Sequence, residues 1–156
     1  MPVMLAYNHF TKRQWFTRFS DGAYLGCAPV ACVGHVDTLQ DLGVTGVVNL
    51  CDEYDGPQAA YDTRGITQLR LPVIDHCEPT VTDIEKAMLF LKEHRRAGGA
   101  VFIHCKGGHG RSAAVALCWL VFHDGLSPDE AQRQLLSVRY TSRNTIYDTH
   151  SLLQYP

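Results

Sequence analysis

The sequence predicts an α/β domain with a mostly parallel central sheet and helices on both faces, and three observations carry that prediction. Short apolar runs of strand length alternate with segments of helical periodicity, the pattern of a covered parallel sheet. Two of the helical segments open on capping boxes. The apolar run 100–103 passes through a glycine-rich loop directly into the apolar run 113–117, and open parallel sheets bind ligands at such strand-to-helix junctions.

The elements follow in chain order. Tyr7, Phe10, Trp15, Phe16 and Phe19 mark a packed N-terminal segment, and Tyr24-Leu25-Gly26 is a short strand. Residues 33–42 read as a helix that Gly43 terminates, and 44–50 as a buried strand. A loop over 52–57, a turn of helix over 58–63 and a strand over 66–71 come next. Thr80 with Asp83, or Thr82 with Glu85, caps a helix whose apolar positions Ile84, Ala87, Met88 and Leu91 recur at spacings of three and four. It ends near Gly98-Gly99, before the strand and helix that flank the glycine-rich loop. Ser127-Pro128-Asp129-Glu130 opens a helix to about Val138, with proline at the first helical position. A last helix is expected over 145–153.

At 156 residues the chain is expected to be one domain, 1–156, long enough to bury about two-thirds of its unfolded surface. A formal net charge of −2 gives no global basic field for nucleic acid, so any attraction for anions is local. Six cysteines do not imply a disulfide scaffold in a chain this rich in aliphatics. There is no Cys-x2-Cys pair and no His-Glu-x-x-His, so neither a metal nor another cofactor is expected. The apolar run 113–122 is about half the length that spans a bilayer, so no transmembrane segment is expected. Lys12, Arg13 and Arg18 with no acid before Asp21 have the balance of a mitochondrial transit peptide, whereas the aromatics there argue for a packed segment.

The chemistry is concentrated in His104-Cys105-Lys106-Gly107-Gly108-His109-Gly110-Arg111-Ser112. A helix start leaves N–H groups without intrahelical partners and carries about half a positive charge, so a loop there receives an anion. Gly107, Gly108 and Gly110 allow successive N–H groups to turn inward around a tetrahedral oxyanion. The same field favours thiolate over thiol, and cysteines so placed have pKa values of about 3.5–7.5, which makes Cys105 a preformed nucleophile. Arg111 offers a planar fork for two oxygens. Lys106 and His109 are either a cationic rim or solvated loop residues. A nucleophilic thiolate needs a reducing compartment, so the cytosol or a compartment of similar poise is expected, a mitochondrial one included if the source is eukaryotic.

His-Cys-x5-Arg-Ser resembles the signature of the cysteine-dependent protein tyrosine and dual-specificity phosphatases. The resemblance implies that Cys105 attacks phosphorus and forms a phosphocysteine, that His104 tunes and orients the thiolate, and that the amides of Lys106 to Arg111 hold the oxygens. It further implies that Ser112 stabilises the sulfur as it leaves. The chemistry also needs a carboxylic acid to protonate the leaving oxygen. In that family the acid lies roughly 30 residues before the cysteine, which points to Asp75, with Glu78 in reserve.

Residues 48–54 and 69–75, with Trp15-Phe16-x-Arg18, Leu25-Gly26-x-x-Pro29 and Ser127-Pro128-x-Glu130-Ala131, resemble the mitochondrial-type phosphatidylglycerophosphate phosphatases. That likeness implies a phosphomonoester substrate on an anionic lipid head group at a membrane surface, with a protein phosphatase for phosphotyrosine, phosphoserine or phosphothreonine as the alternative. Gly107 and His109 depart from the family's usual residues, so part of the rim titrates near neutrality. Asn49 resembles the position that hydrogen-bonds the phosphate loop, with a turn or cap role as the other reading. Glu53 and Tyr54 either shape the pocket or belong to a polar surface loop. Asn49-Leu50-Cys51 resembles the stretch that supplies a second cysteine to the oxidised nucleophile in a phosphoinositide phosphatase, so Cys51 is a redox partner or a core residue.

Overall fold

In the strand Ala100–Cys105 (β5), side chains alternate between two cores. Val101, Ile103 and Cys105 join one core, and Ala100 and Phe102 the other. The computed structural model describes residues 14–139, so Tyr7, Phe10 and the helix expected over 145–153 lie outside the described residues. Within that span, Phe16–Ser20 (β1), Ala23–Cys27 (β2), Val44–Cys51 (β3), Thr67–Val73 (β4) and β5 form one sheet in the order β1-β2-β5-β3-β4. β2, β5, β3 and β4 are parallel, and β1 is an antiparallel edge.

The helices His35–Asp41 (α1) and Gln58–Asp62 (α2) cover one face through Val36, Leu39 and Tyr61. Val81–Arg96 (α3), Arg111–Phe122 (α4) and Pro128–Val138 (α5) cover the other. Ile84, Met88 and Leu91 form the buried stripe of α3, and each contributes about 1.5–3 kcal/mol of burial. The helix after β3 and the helix after β5 therefore lie on opposite faces. The carboxyl ends of these neighbouring strands are thus the topological switch point, where doubly wound sheets bind their ligands.

The differences from expectation have local causes. β1 lacks a clean alternation of apolar and polar residues because it is an edge strand with mostly half-buried side chains. Residues 31–33 form a 3-10 turn that Gly34 closes, so the helix begins at His35. β4 extends past Leu71 through Pro72, which the ladder tolerates because β4 is the opposite edge. Of the two capping boxes open to α3, Thr80 with Asp83 is the one formed, each side chain bonding the other's backbone N–H. Ser127 and Glu130 do the same for α5.

Candidate active site

Cys105 ends the central strand β5, and α4 begins six residues later at Arg111, so residues 106–110 form a loop over a helix N-terminus. Gly108 has a left-handed backbone (φ 72°), which directs its N–H to Cys105 Sγ at 3.3 Å. The Ser112 hydroxyl donates to the same sulfur at 3.2 Å. Cys105 is 3% exposed. Burial pushes its thiol up, but the Ser112 hydroxyl, the Ser112 and Gly108 amides and the Arg111 charge together outweigh burial and hold it below the ordinary value. The cysteine that the sequence singles out thus sits where its charged form is favoured in spite of burial.

The Arg111 side chain is also buried, and its fork is held from the ends of two strands, β3 and β4. Nη1 donates to the Val73 carbonyl at 2.8 Å, and Nη1 and Nη2 each meet a Glu53 carboxylate oxygen at 2.8 Å. Asp75 Oδ1 lies 2.9 Å from Nη2. The pairing holds Glu53 down to about 2 and raises Arg111 further above its already high value. Glu53 is therefore the partner that aims the guanidinium, a role the sequence left between pocket and surface.

Asp75, with its side chain 47% exposed, sits in the turn closed by Cys77 N–H donating to the Ile74 carbonyl. His76 in that turn has φ 65°, a costly conformation for a non-glycine residue. Glu78, the reserve acid, is exposed and makes no ion pair with Arg111 among the described residues. Lys106 is exposed at the rim, while His109 is half-buried with its Nδ1 turned inward. Gly107 and Gly110 complete the loop.

Three expectations take a different form. His104 Nδ1 meets the Cys105 carbonyl at 3.4 Å rather than the sulfur. Burial holds His104 down to about 3, so the ring is neutral and orients backbone without lending charge to the thiolate. Asn49 donates to the Tyr54 carbonyl at 2.9 Å and accepts from Cys51 N–H at 2.9 Å. Its hydrogen bonds to Cys51, Tyr54 and Gln68 close the turn after β3 and tie it to β4, and none reaches the phosphate loop. Tyr54 donates to the Pro29 carbonyl at 2.7 Å, tying that turn to the segment after β2.

Cys51 is buried at the end of β3, beside β5, and its thiol is pushed up to about 12 by burial first and then by the nearby charge of Cys105. No cluster of metal-ligating side chains occurs among the described residues.

A buried cysteine with donors on its sulfur, a buried arginine fork and a carboxylate thus meet at the ends of parallel strands, and the chain belongs to the family described as dual specificity phosphatase, catalytic domain, whose model matches residues 23–156. It is 31% identical over 129 residues to phosphatidylglycerophosphate phosphatase PTPMT1 of Arabidopsis thaliana, covering 81% of this chain and 38% of that protein. It is 37% identical over 130 residues to human dual specificity phosphatase 28, covering 78% of this chain and 66% of that protein. Among solved structures, PTPMT1 in complex with PI(5)P aligns with a TM-score of 0.76 at 26% identity, covering 83% of this chain and 86% of that one. The chain thus spans between about two-fifths and two-thirds of the length of these curated relatives.

Proposed function

We propose that the chain is a metal-independent phosphomonoesterase that works through a phosphocysteine intermediate on an anionic lipid phosphate, in a reducing compartment. The observation that carries this reading is the Cys105 sulfur, lowered against its own burial by Ser112 and Gly108. Two relatives bear on the substrate through their names, one a phosphatidylglycerophosphate phosphatase and one solved with PI(5)P. Ile74, 66% exposed beside Asp75, adds an apolar contact at the mouth for a lipid interface.

The steps follow from the geometry. The phosphate dianion takes the Arg111 fork and displaces Asp75 from Nη2, and the released carboxylate, no longer ion-paired, takes a proton from solvent and faces the leaving oxygen. Cys105 thiolate forms the S–P bond as the P–O bond breaks, and Asp75 gives its proton to the departing alkoxide. Asp75 carboxylate then takes a proton from water, whose oxygen attacks phosphorus. The S–P bond breaks, and the Ser112 hydroxyl, already 3.2 Å away, receives the returning sulfur charge. Thiolate and carboxylic acid must coexist, so turnover peaks on the acid side of neutrality, at about pH 5–6.

The test is phosphate release from phosphatidylglycerophosphate, phosphoinositides and phosphopeptides, with Cys105→Ser and Asp75→Asn alongside. Lipids leading the ranking support the proposal, and phosphopeptides leading it replace the lipid reading with the protein phosphatase. Cys105→Ser should bind substrate without turnover. Asp75→Asn should slow substrates with poor leaving groups by about 10²–10⁴ and activated aryl phosphates far less, while binding oxyanions more tightly because the competitor for Arg111 is gone. Turnover surviving in Cys105→Ser contradicts the mechanism.

A further inference from the structure

Arg139 follows α5 and is 31 residues from the loop it touches, yet its guanidinium is buried, with the residue only 8% exposed. Nε donates to the Gly108 carbonyl at 2.8 Å, and Nη2 to the Gly107 carbonyl at 3.1 Å. The remaining arm, Nη1, reaches the Gln14 carbonyl at 3.4 Å and the Thr17 hydroxyl at 3.5 Å. Nothing in the family motif, the acid loop or the β3 turn accounts for this contact.

We propose that Arg139 is a positioning residue of the phosphate loop, holding the Gly107 and Gly108 carbonyls outward so that the following amides face the sulfur and the bound oxyanion. The argument is peptide geometry. The loop's peptide bonds are trans, and in a trans peptide the C=O and the N–H point in opposite directions. Pinning Gly107 C=O behind the loop therefore sends Gly108 N–H forward, where it meets Cys105 Sγ at 3.3 Å. Pinning Gly108 C=O sends His109 N–H the same way. A loop of flexible residues would otherwise lose these orientations to entropy, glycine more than any other residue.

Packing makes the clamp close on one geometry. A Cβ placed on Gly108 would lie 2.6 Å from the Gly26 carbonyl and 2.8 Å from Arg139 Nη2. Gly108 is thus wedged between β2 and the guanidinium, and Arg139 forms the back wall of the cup. Lysine cannot reproduce the contact, because one ammonium offers no planar fork to two carbonyls.

This inference rests on the reading of residues 106–110 as an oxyanion cup. It is tested with orthovanadate as the phosphate mimic, the pH midpoint of Cys105 alkylation by iodoacetamide, and steady-state turnover. Arg139→Met should raise the orthovanadate inhibition constant at least about tenfold, move the alkylation midpoint upward and lower kcat more than it changes KM. Arg139→Lys should fall between native and Met. Thr17→Val, which removes only the contact to β1, should leave all three readouts native. A folded Arg139→Met with native vanadate inhibition and a native alkylation midpoint overturns the proposal. So does a Thr17→Val that reproduces the losses of Arg139→Met, since Arg139 would then merely stitch β1 to α5. Should the arginine variants not fold, the Arg139 Nε–H resonance of the native chain decides. Protection from exchange and a shift on adding vanadate are expected, and a fast-exchanging signal indifferent to vanadate refutes the clamp. A native chain that binds no vanadate removes the cup reading itself, and this proposal with it.

Discussion

Cys105 and Cys51 end neighbouring parallel strands, both are buried, and their thiols are displaced in opposite directions. Burial raises each of them. At Cys51 the charges of Cys105, Glu53 and Asp75 add to burial and only the Arg111 charge opposes it, so the thiol is pushed up to about 12, as burial alone does to Cys118 in the middle of α4. Cys105 has the Ser112 hydroxyl and the Ser112 and Gly108 amides on its sulfur, with the Arg111 charge beyond them. The comparison teaches that the lowered thiol is made by the residues after it, since strand position and burial are shared. It also explains why α4 can begin on an arginine and a serine that are both buried: their polar groups are spent on Glu53, Val73 and Cys105.

The largest effect expected from breaking this difference comes from Ser112→Ala, which makes Cys105 more like Cys51. The sulfur loses its shortest donor, so the pH midpoint of Cys105 alkylation moves upward and hydrolysis of the phosphocysteine slows by about 10–100-fold. Rapid-quench measurements should then show phosphoenzyme accumulating. An alkylation midpoint equal to the native one assigns the lowering to the amides and Arg111 alone.

How much of this was legible in the sequence differs between the two strand ends. Cys105, Arg111 and Ser112 could be read because one short segment carries nucleophile, fork and donor on a strand-to-helix junction. Glu53 could be placed only loosely, because its role depends on the end of β3 meeting the start of α4, 58 residues apart in sequence. Arg139 left no trace in any motif, since what it binds is backbone, and a carbonyl has no sequence signature. Asn49 was drawn toward the phosphate loop by resemblance, whereas its side chain satisfies the turn two and five residues on, the local bonding asparagine favours. The sheet was recoverable from apolar runs except at its edges, where β1 is half-exposed and β4 carries Pro72.

A smaller effect, in rate, concerns oxidation. Mild peroxide should convert the Cys105 thiolate to a sulfenic acid, and Cys51 thiol then displaces water from that sulfur to give a Cys51–Cys105 disulfide. The high value of Cys51 makes it a slow attacker, but the part of that rise due to the Cys105 charge disappears once Cys105 is a neutral sulfenic acid. Mass spectrometry should find the disulfide in the native chain and a sulfinic acid at Cys105 in Cys51→Ser. Sulfinic acid in both would leave Cys51 as a core residue only.

The smallest effect extends the contrast to the residue before the nucleophile. His104 is fully buried, its Nε2 has no hydrogen-bond partner among the described residues, and burial holds the ring down to about 3. Between pH 6.5 and 3 the unfolded chain binds a proton at this ring that the folded chain does not. Stability therefore rises with pH across that window and is lost as pH falls through it, by at most about 1.4 kcal/mol per pH unit from this group. That corresponds to on the order of 3–5 °C in Tm per unit for a chain of this size. His104→Asn removes the proton and should flatten the acid limb of the Tm profile by that amount. Glu53 acts in the same direction lower down, because its carboxyl is held near 2 and its pairing persists until pH falls toward that value. A slope unchanged in His104→Asn would mean that the ring is charged in the fold, and that the sulfur beside it draws on a cation which the geometry assigns to Arg111 alone.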